Sequence, residues 1–257
     1  MSLKDMLKKN ILSIGSWITI AHSSIAEIMA KAGYDWLAVD MEHSAIELAE
    51  AQRLIQVIEL AGGIPLVRVG ENSPYLIKRV MDAGAHGVIV PMVNTADDAV
   101  RAVSAVKYPP AGKRGVGLAR AQGYGLAFER YRKWVNKESV VVVQIEHNEA
   151  VDNLEDILSV EGVDGSMIGP YDLSASLGHS GEFERPEVRK VLARYEETCR
   201  KMKKPMGIHV VEPDPKMALA YMKKGYKFLA VGVDMLYIGR KCLEVRDAIK
   251  DFTRGGN

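Results

Sequence analysis

Cysteine is nearly absent from this chain: only Cys199 and Cys242 occur in 257 residues, far apart and each in a helix-like context. That excludes a disulfide framework and a thiol-rich metal site, and it fits a reducing cytoplasm. An excess of either charge is missing as well. Lysine plus arginine (34) nearly cancel aspartate plus glutamate (33), so no strong field draws the protein to nucleic acid or to an anionic membrane surface, and a small-molecule partner is expected. The opening "MSLKDMLKKNILSIGSW" is basic, but its apolar stretch is broken by Ser13, Gly15 and Ser16, unlike a signal peptide or a membrane span.

What the chain does contain is an alternation. Apolar runs of four to eight residues recur, each followed by a longer segment with apolar residues at helical spacing. The expected strands are "ILSIGSWITI", "DWLAVDM", "IPLVRVG", "GVIVPMV", "VVVVQIE", "DGSMIGP", "MGIHVV" and "FLAVGVD". Between them lie helices such as 23–33, with Ser23 or Ser24 as N-cap and Gly33 as stop, and the "SPYLIKRVMDAG" segment with Pro74 in its first turn. Strands rich in Val and Ile, with little polar alternation, belong in a parallel sheet covered on both faces.

Eight such units predict a single-domain α/β protein, a (β/α)8 TIM barrel over residues 1–257. An open doubly wound sheet would normally carry a phosphate-binding glycine fingerprint after its first strand, and none is present there. One connection is long: residues 108–137, "YPPAGKRGVGLARAQGYGLAFERYRKWVNK". Its mixture of glycine, basic and aromatic residues is read as a lid or a subunit contact.

In such barrels the reactive groups come from the carboxyl ends of the strands. Strand two ends in Asp40, Glu42 and His43, strand three carries Arg68, strand five ends with Gln144 and Glu146, and strand six runs into "GPYDLS" with Asp172. Two carboxylates without thiolates or paired histidines suit a hard divalent cation, Mg²⁺ or Mn²⁺, with Glu146 and Asp172 as the expected ligands. So few protein ligands leave positions for water and for a chelating 2-oxo acid, whose carboxylate Arg68 can hold in a bidentate contact. His43 is the natural proton carrier, with Asp40 or Glu42 as the acid that orients it. His209, on the seventh strand, is a candidate specificity residue.

A lysine at a strand end is missing, which disfavours Schiff-base chemistry; Lys227 opens the eighth strand and faces the other rim. Plainer readings compete with these assignments. Asp172 and Glu146 could cap the helices that follow them, and Arg68 could sit in a structural ion pair. The segments "GYGLAF" and "RGVG" are weak phosphate-binding signals, and "VGVDMLYIGR" is somewhat better placed, although Asp234 there would repel an anion and reads more simply as a helix cap.

With these residues placed, the chain resembles the HpcH/HpaI family of metal-dependent pyruvate aldolases, from Gly15 to about Ile249. The likeness is carried by "AGYDWLAVDMEH", "VPMVNTADDA", "KYPPAGKRGVG", "VQIEHNEAVDNL", "EGVDGSMIGPYDLSASLG" and "AVGVD". The resemblance implies a class II aldolase that reversibly cleaves a 4-hydroxy-2-oxo acid to pyruvate and an aldehyde through a pyruvate enolate. It implies His43 as general base, Arg68 as the group that binds carboxylate and stabilises the transition state, Glu146 and Asp172 as ligands of Mg²⁺, Mn²⁺ or Co²⁺, and no organic cofactor. It also puts Gln144, Gly169, Pro170 and Tyr171 against the oxo acid and makes Asp82 the acid that raises the histidine's basicity, although Asp82 falls at a helix end before strand four, on the opposite rim. A homohexamer, a trimer of dimers with an exchanged C-terminal helix, is implied too.

Met41, Tyr171 and His209 depart from the family's usual residues, so the core chemistry transfers better than the aldehyde preference. Three rivals stand beside this reading: a lyase of CoA thioesters on the same barrel, an enzyme of phosphoenolpyruvate chemistry, and a noncatalytic 2-oxo-acid-binding protein.

Overall fold

The computed structural model describes residues 1–255. Its eight strands are β1 (Ser13–Ile18), β2 (Trp36–Asp40), β3 (Ile64–Arg68), β4 (Gly87–Val90), β5 (Val140–Ile145), β6 (Gly165–Ile168), β7 (Met206–Val210) and β8 (Phe228–Val233). They pair in parallel and in sequence order, and β8 closes on β1. Every strand expected from the apolar runs is present, and the barrel is the predicted one.

Period-2 alternation divides the strand side chains into two cores. Leu37, Val39, Val67, Val141, Val143 and Ile208 point outward into the shell between sheet and helices. Trp17, Trp36, Leu66, Ile89, Val142, Met167 and Phe228 fill the barrel. Trp36 stacks on Phe228 with ring centroids 4.3 Å apart. It occupies the space beside Gly15, where a Cβ would lie 2.1 Å from its ring. A helix that the sequence reading had not singled out, α1 (Leu3–Lys8), sends Leu3 and Leu7 into the same inner core, and Lys4 Nζ bonds Asp164 Oδ1 at 2.6 Å.

The outer helices that follow the first four strands are α2 (Ser23–Lys31), α3 (Leu48–Leu60), α4 (Pro74–Asp82) and α5 (Ala96–Val106). The N-cap of α2 is not a serine: His22 Nδ1 accepts the Ser24 N–H at 3.2 Å. Gly33 ends the turn after α2 at φ +91°, as a C-terminal glycine should. After β5 come α7 (Asn148–Asp152) and α8 (Leu154–Ser159), after β6 come α9 (Pro170–Ser176) and α10 (Pro186–Met202), and α11 (Pro215–Lys224) precedes β8.

The long connection contains a 3-10 turn (Arg120–Gln122) and α6 (Phe128–Glu138). Arg114 bonds Asp82 Oδ1 at 2.5 Å and the Tyr131 hydroxyl at 3.0 Å. Arg120 reaches Glu59 and the Ala83 carbonyl. These anchors lie where α3 and α4 end and the strands begin, so within its own chain the segment is tied to the rim opposite the predicted site. Val116, Leu118, Tyr124 and Leu126 in this segment are exposed, Leu126 at 96%.

The chain's last described element, α12 (Asp234–Gly255), leaves Ile238, Leu243, Val245, Ile249 and Phe252 exposed. No described helix is long and apolar enough to cross a membrane.

Candidate active site

Asp40 and Arg68 end neighbouring strands in register and continue the inward rows of Trp36, Ala38 and Leu66. Arg68 donates from Nε to Asp40 Oδ1 at 2.9 Å and from Nη2 to Oδ2 at 2.6 Å, the bidentate geometry that matches guanidinium to carboxylate. Asp40 Oδ1 also accepts the backbone N–H groups of Glu42 (3.0 Å) and His43 (3.2 Å), and the Ser44 hydroxyl donates to the Asp40 carbonyl. Asp40 therefore shapes the turn that presents His43 instead of touching its imidazole. Burial works against its charge, but the Arg68 bonds outweigh that and hold its carboxyl below the usual range.

Glu42 is the acid nearest the imidazole. Its Oε2 lies 3.8 Å from His43 Nε2 and 3.2 Å from Arg68 Nε. Desolvation, opposed by Arg68 and reinforced by Asp40 and Asp172, pushes the Glu42 carboxyl up to about 7. The His43 side chain is 65% exposed, open to a ligand at the strand ends.

Glu146 follows β5 and is buried. Its Oε2 accepts the Met92 N–H at 3.0 Å and its Oε1 takes the Gln144 amide. Gln144 thus orients Glu146, and its own Oε1 is buried without a partner. Glu146 does not cap α7; His147 does, accepting the Glu149 N–H on Nδ1 at 3.2 Å. Burial first, then the charges of Glu42 and Asp172, push the Glu146 carboxyl up to about 7 against the relief from Met92. Asp172 stands exposed in the first turn of α9, which has no side-chain cap.

Gly169 leaves the room that Glu146 occupies, since a Cβ there would lie 2.8 Å from Glu146 Cγ. Among the described residues no three histidine, cysteine, aspartate or glutamate side chains form a metal-ligating group. The two carboxylates nevertheless suit Mg²⁺ or Mn²⁺, which keep several waters and need only one or two protein carboxylates. A buried acid destabilised by neighbouring acids is also the environment that a cation relieves.

Around this cluster, Trp17 lies under Arg68, with the guanidinium carbon 4.4 Å from the ring centroid, and His209 packs 5.3 Å from the same ring. His209 Nε2 donates to the Gly232 carbonyl at 2.9 Å. Burial lowers its pKa to about 4, so it sits there as a neutral imidazole. Tyr171, 57% exposed, meets Phe183 edge to face at 4.9 Å. Pro170 and Gly169 form the start of α9 beside Glu146. Asp82 is not brought to this cluster: it ends α4 at the opposite rim and its carboxylate pairs with Arg114, as its place in the element order indicated. Asp234 proves to be a tie and not an anion site, accepting Thr19 N–H (2.9 Å) and Ile20 N–H (2.8 Å).

Two contributors escaped the sequence reading. Trp17 looked like ordinary core, and the only signal for its role is its parity on β1. Met92 acts through its backbone, at φ +50°, and no glycine marks that turn.

The family model for HpcH/HpaI aldolase/citrate lyase matches residues 13–238. This chain belongs to the HpcH/HpaI family. It is 43% identical over 237 residues to the 2-keto-3-deoxy-L-rhamnonate aldolase of Escherichia coli O17:K52:H18, covering 91% of this chain and 88% of that protein. It is 40% identical over 246 residues to the 2-dehydro-3,6-dideoxy-6-sulfogluconate aldolase of Pseudomonas putida, covering 95% of each. The crystal structure of an HpcH/HpaI family protein from Burkholderia cenocepacia J2315 superposes with a TM-score of 0.91 at 34% identity, over 96% of this chain and 98% of that one. With the rest of its family signature, the chain is a carbon–carbon lyase of the pyruvate aldolase type.

Proposed function

We propose that this HpcH/HpaI protein cleaves a 4-hydroxy-2-oxo acid of the 2-keto-3-deoxy sugar-acid kind with Arg68, His43, Glu146 and Asp172 as its working groups. The observation that carries this reading is the gathering of Arg68, Glu42 and His43 at two neighbouring strand ends, on the rim where Glu146 follows β5 and Asp172 follows β6. A divalent cation, Mg²⁺, Mn²⁺ or Co²⁺, held by Glu146 and Asp172 supplies Lewis-acid polarisation of the substrate's 2-oxo group.

Asp40 takes two of the five guanidinium N–H donors. Arg68 keeps others for the substrate carboxylate, and its plane is fixed between Asp40 and Trp17. His43 removes the proton from the 4-hydroxyl; the C3–C4 electron pair then moves to C3, the aldehyde departs, and pyruvate enolate remains to be protonated at C3. Arg68 offsets the developing negative charge with donors already in place. Gln144 and the Met92 N–H hold Glu146 in position, while Gly169, Pro170 and Tyr171 bound the oxo-acid side and His209 shapes the pocket floor through Trp17. Asp82 has no place in this sequence of events within its own chain.

The exposed apolar residues of α12, with those of the 108–137 segment, support burial against further copies of the chain in the exchanged-helix hexamer that the family resemblance implies. Cys199, buried, and Cys242, exposed, are both unpaired, which supports a cytoplasmic location. The deciding experiment is exchange of pyruvate methyl protons in D₂O, followed by NMR with added Mg²⁺ or Mn²⁺ and with EDTA. Exchange that EDTA abolishes supports the assignment without any choice of aldehyde. Its absence with every metal favours the CoA-thioester lyase or the binding protein.

A further inference from the structure

Asn153 stands where α7 ends and α8 begins. Its N–H closes α7 on the Glu149 carbonyl at 3.0 Å, and its own carbonyl accepts the Ile157 N–H at 3.0 Å. An asparagine at an N-cap ordinarily turns its side chain back onto the N–H groups of the helix that follows. Asn153 makes no such bond. Its Nδ2 donates instead to the Asn94 carbonyl at 2.9 Å, 59 positions back along the chain, in the β4–α5 connection.

That connection, residues 91–95, supplies the Met92 N–H to Glu146 Oε2. Met92 sits at φ +50°, a left-handed conformation that is unfavourable for a residue with a Cβ and persists where the surroundings hold it. Its side chain is 48% exposed, so packing of the thioether does little of that holding. Hydrogen bonds to the next three residues do more. Val93 N–H donates to the Gln144 carbonyl at 3.3 Å, the Asp98 carboxylate accepts the N–H groups of Asn94 (3.2 Å) and Thr95 (3.0 Å), and Asn153 takes the Asn94 carbonyl. Asp98 fastens the connection to its own helix, α5. Gln144 and Asn153 fasten it to the β5–α7–α8 unit, which carries Glu146.

We infer that Asn153 is a positioning residue: by holding the Asn94 carbonyl it fixes the 91–95 connection in the shape that keeps the Met92 N–H on Glu146, and it thereby sets the affinity of the site for a divalent cation. The inference rests on the reading above of Glu146 and Asp172 as cation ligands. A ligating carboxylate is kept in place by its own hydrogen-bonded partners, and losing one commonly costs about 10–100-fold in metal affinity or activity. Asn153 acts through the Met92 backbone, so its loss belongs at the lower end of that range.

The test compares the parent with Asn153→Ala and Asn153→Asp in Mn²⁺ affinity by electron paramagnetic resonance, in amide hydrogen exchange of the peptide containing Met92 in the metal-free protein, and in urea unfolding. Aspartate is nearly isosteric with asparagine, cannot donate to the Asn94 carbonyl when ionised, and is free to cap α8. Asn153→Asp should therefore keep the fold even where Asn153→Ala loses it. Both variants are expected to bind Mn²⁺ about tenfold more weakly and to lose exchange protection at the Met92 amide, while Asn153→Asp unfolds at the parent's urea concentration or above it. A purely structural tie predicts the opposite pairing, with stability lowered and the Mn²⁺ affinity of the folded protein unchanged. Parent-like Mn²⁺ affinity in folded Asn153→Asp overturns the inference and leaves the metal assignment standing. A parent protein that binds no Mn²⁺ removes both.

Discussion

An alanine at position 169 would place its Cβ 2.8 Å from Glu146 Cγ and 3.0 Å from Glu146 Oε1, closer than such atoms tolerate. The backbone there has φ −106°, which alanine adopts freely, so the whole effect comes from that contact. Glu146 has little freedom to retreat, because Oε2 is held by Met92 N–H and Oε1 by Gln144. Forcing a methyl group into packed surroundings costs about 1–3 kcal/mol. A displacement of about 1 Å in a working group can cost about a hundredfold in rate. Gly169→Ala should therefore lose about 1–2 kcal/mol of stability in urea unfolding, bind Mn²⁺ more weakly by electron paramagnetic resonance, and exchange pyruvate protons about a hundredfold more slowly. A variant with wild-type Mn²⁺ affinity and an exchange rate within about twofold of the parent would refute the claim that Gly169 makes room for a metal-binding Glu146.

The Glu146 carboxyl, pushed up to about 7, must lose its proton for a cation to bind, so Mn²⁺ affinity should fall by up to about tenfold per pH unit below 7 and level off above it. In the metal-free protein the same group keeps its proton when folded and releases it when unfolded between pH 4.5 and about 7. Stability should therefore decline as pH rises through that window, by at most ~3 kcal/mol from this residue, as urea titration can measure. His43→Ala should cost about 10²–10⁴ in retro-aldol rate and less than ~0.5 kcal/mol in stability, because the side chain is mostly exposed. Arg68→Lys keeps the charge but loses the fork to Asp40, and kcat/KM should drop about a hundredfold in folded protein. Ile249→Glu with Phe252→Glu should lower the molar mass seen by light scattering, and an unchanged mass would remove the α12 interface.

Much of the site was legible because a parallel barrel leaves few choices. Once eight apolar runs were recognised, the polar residues at their carboxyl ends, Asp40, Arg68, Glu146 and the start of "GPYDLS", had to gather at one rim. The plainer helix-cap readings could be weighed but not dismissed from spacing alone. Capping depends on whether a side chain turns back to its own backbone, and His147, not Glu146, proves to do so. The division of labour between Asp40 and Glu42 was undecidable for the same reason: both are acids two residues apart, and only the position of Arg68 across the sheet assigns Asp40 to the clamp and leaves Glu42 beside His43.

The sequence by itself determined the barrel and which polar residues, Asp40, Arg68, Glu146 and Asp172 among them, stand at the carboxyl ends of its strands, because strand parity and βα order are local properties that survive summation around a closed sheet. Tertiary structure decided what distance alone can decide. It put Trp17 beneath Arg68, brought the Met92 amide to Glu146 from another strand's loop, and tied Asp82 and the 108–137 segment to the far rim through Arg114. Those contacts join residues up to 54 positions apart, and their energies depend on burial and approach, which no spacing along the chain encodes.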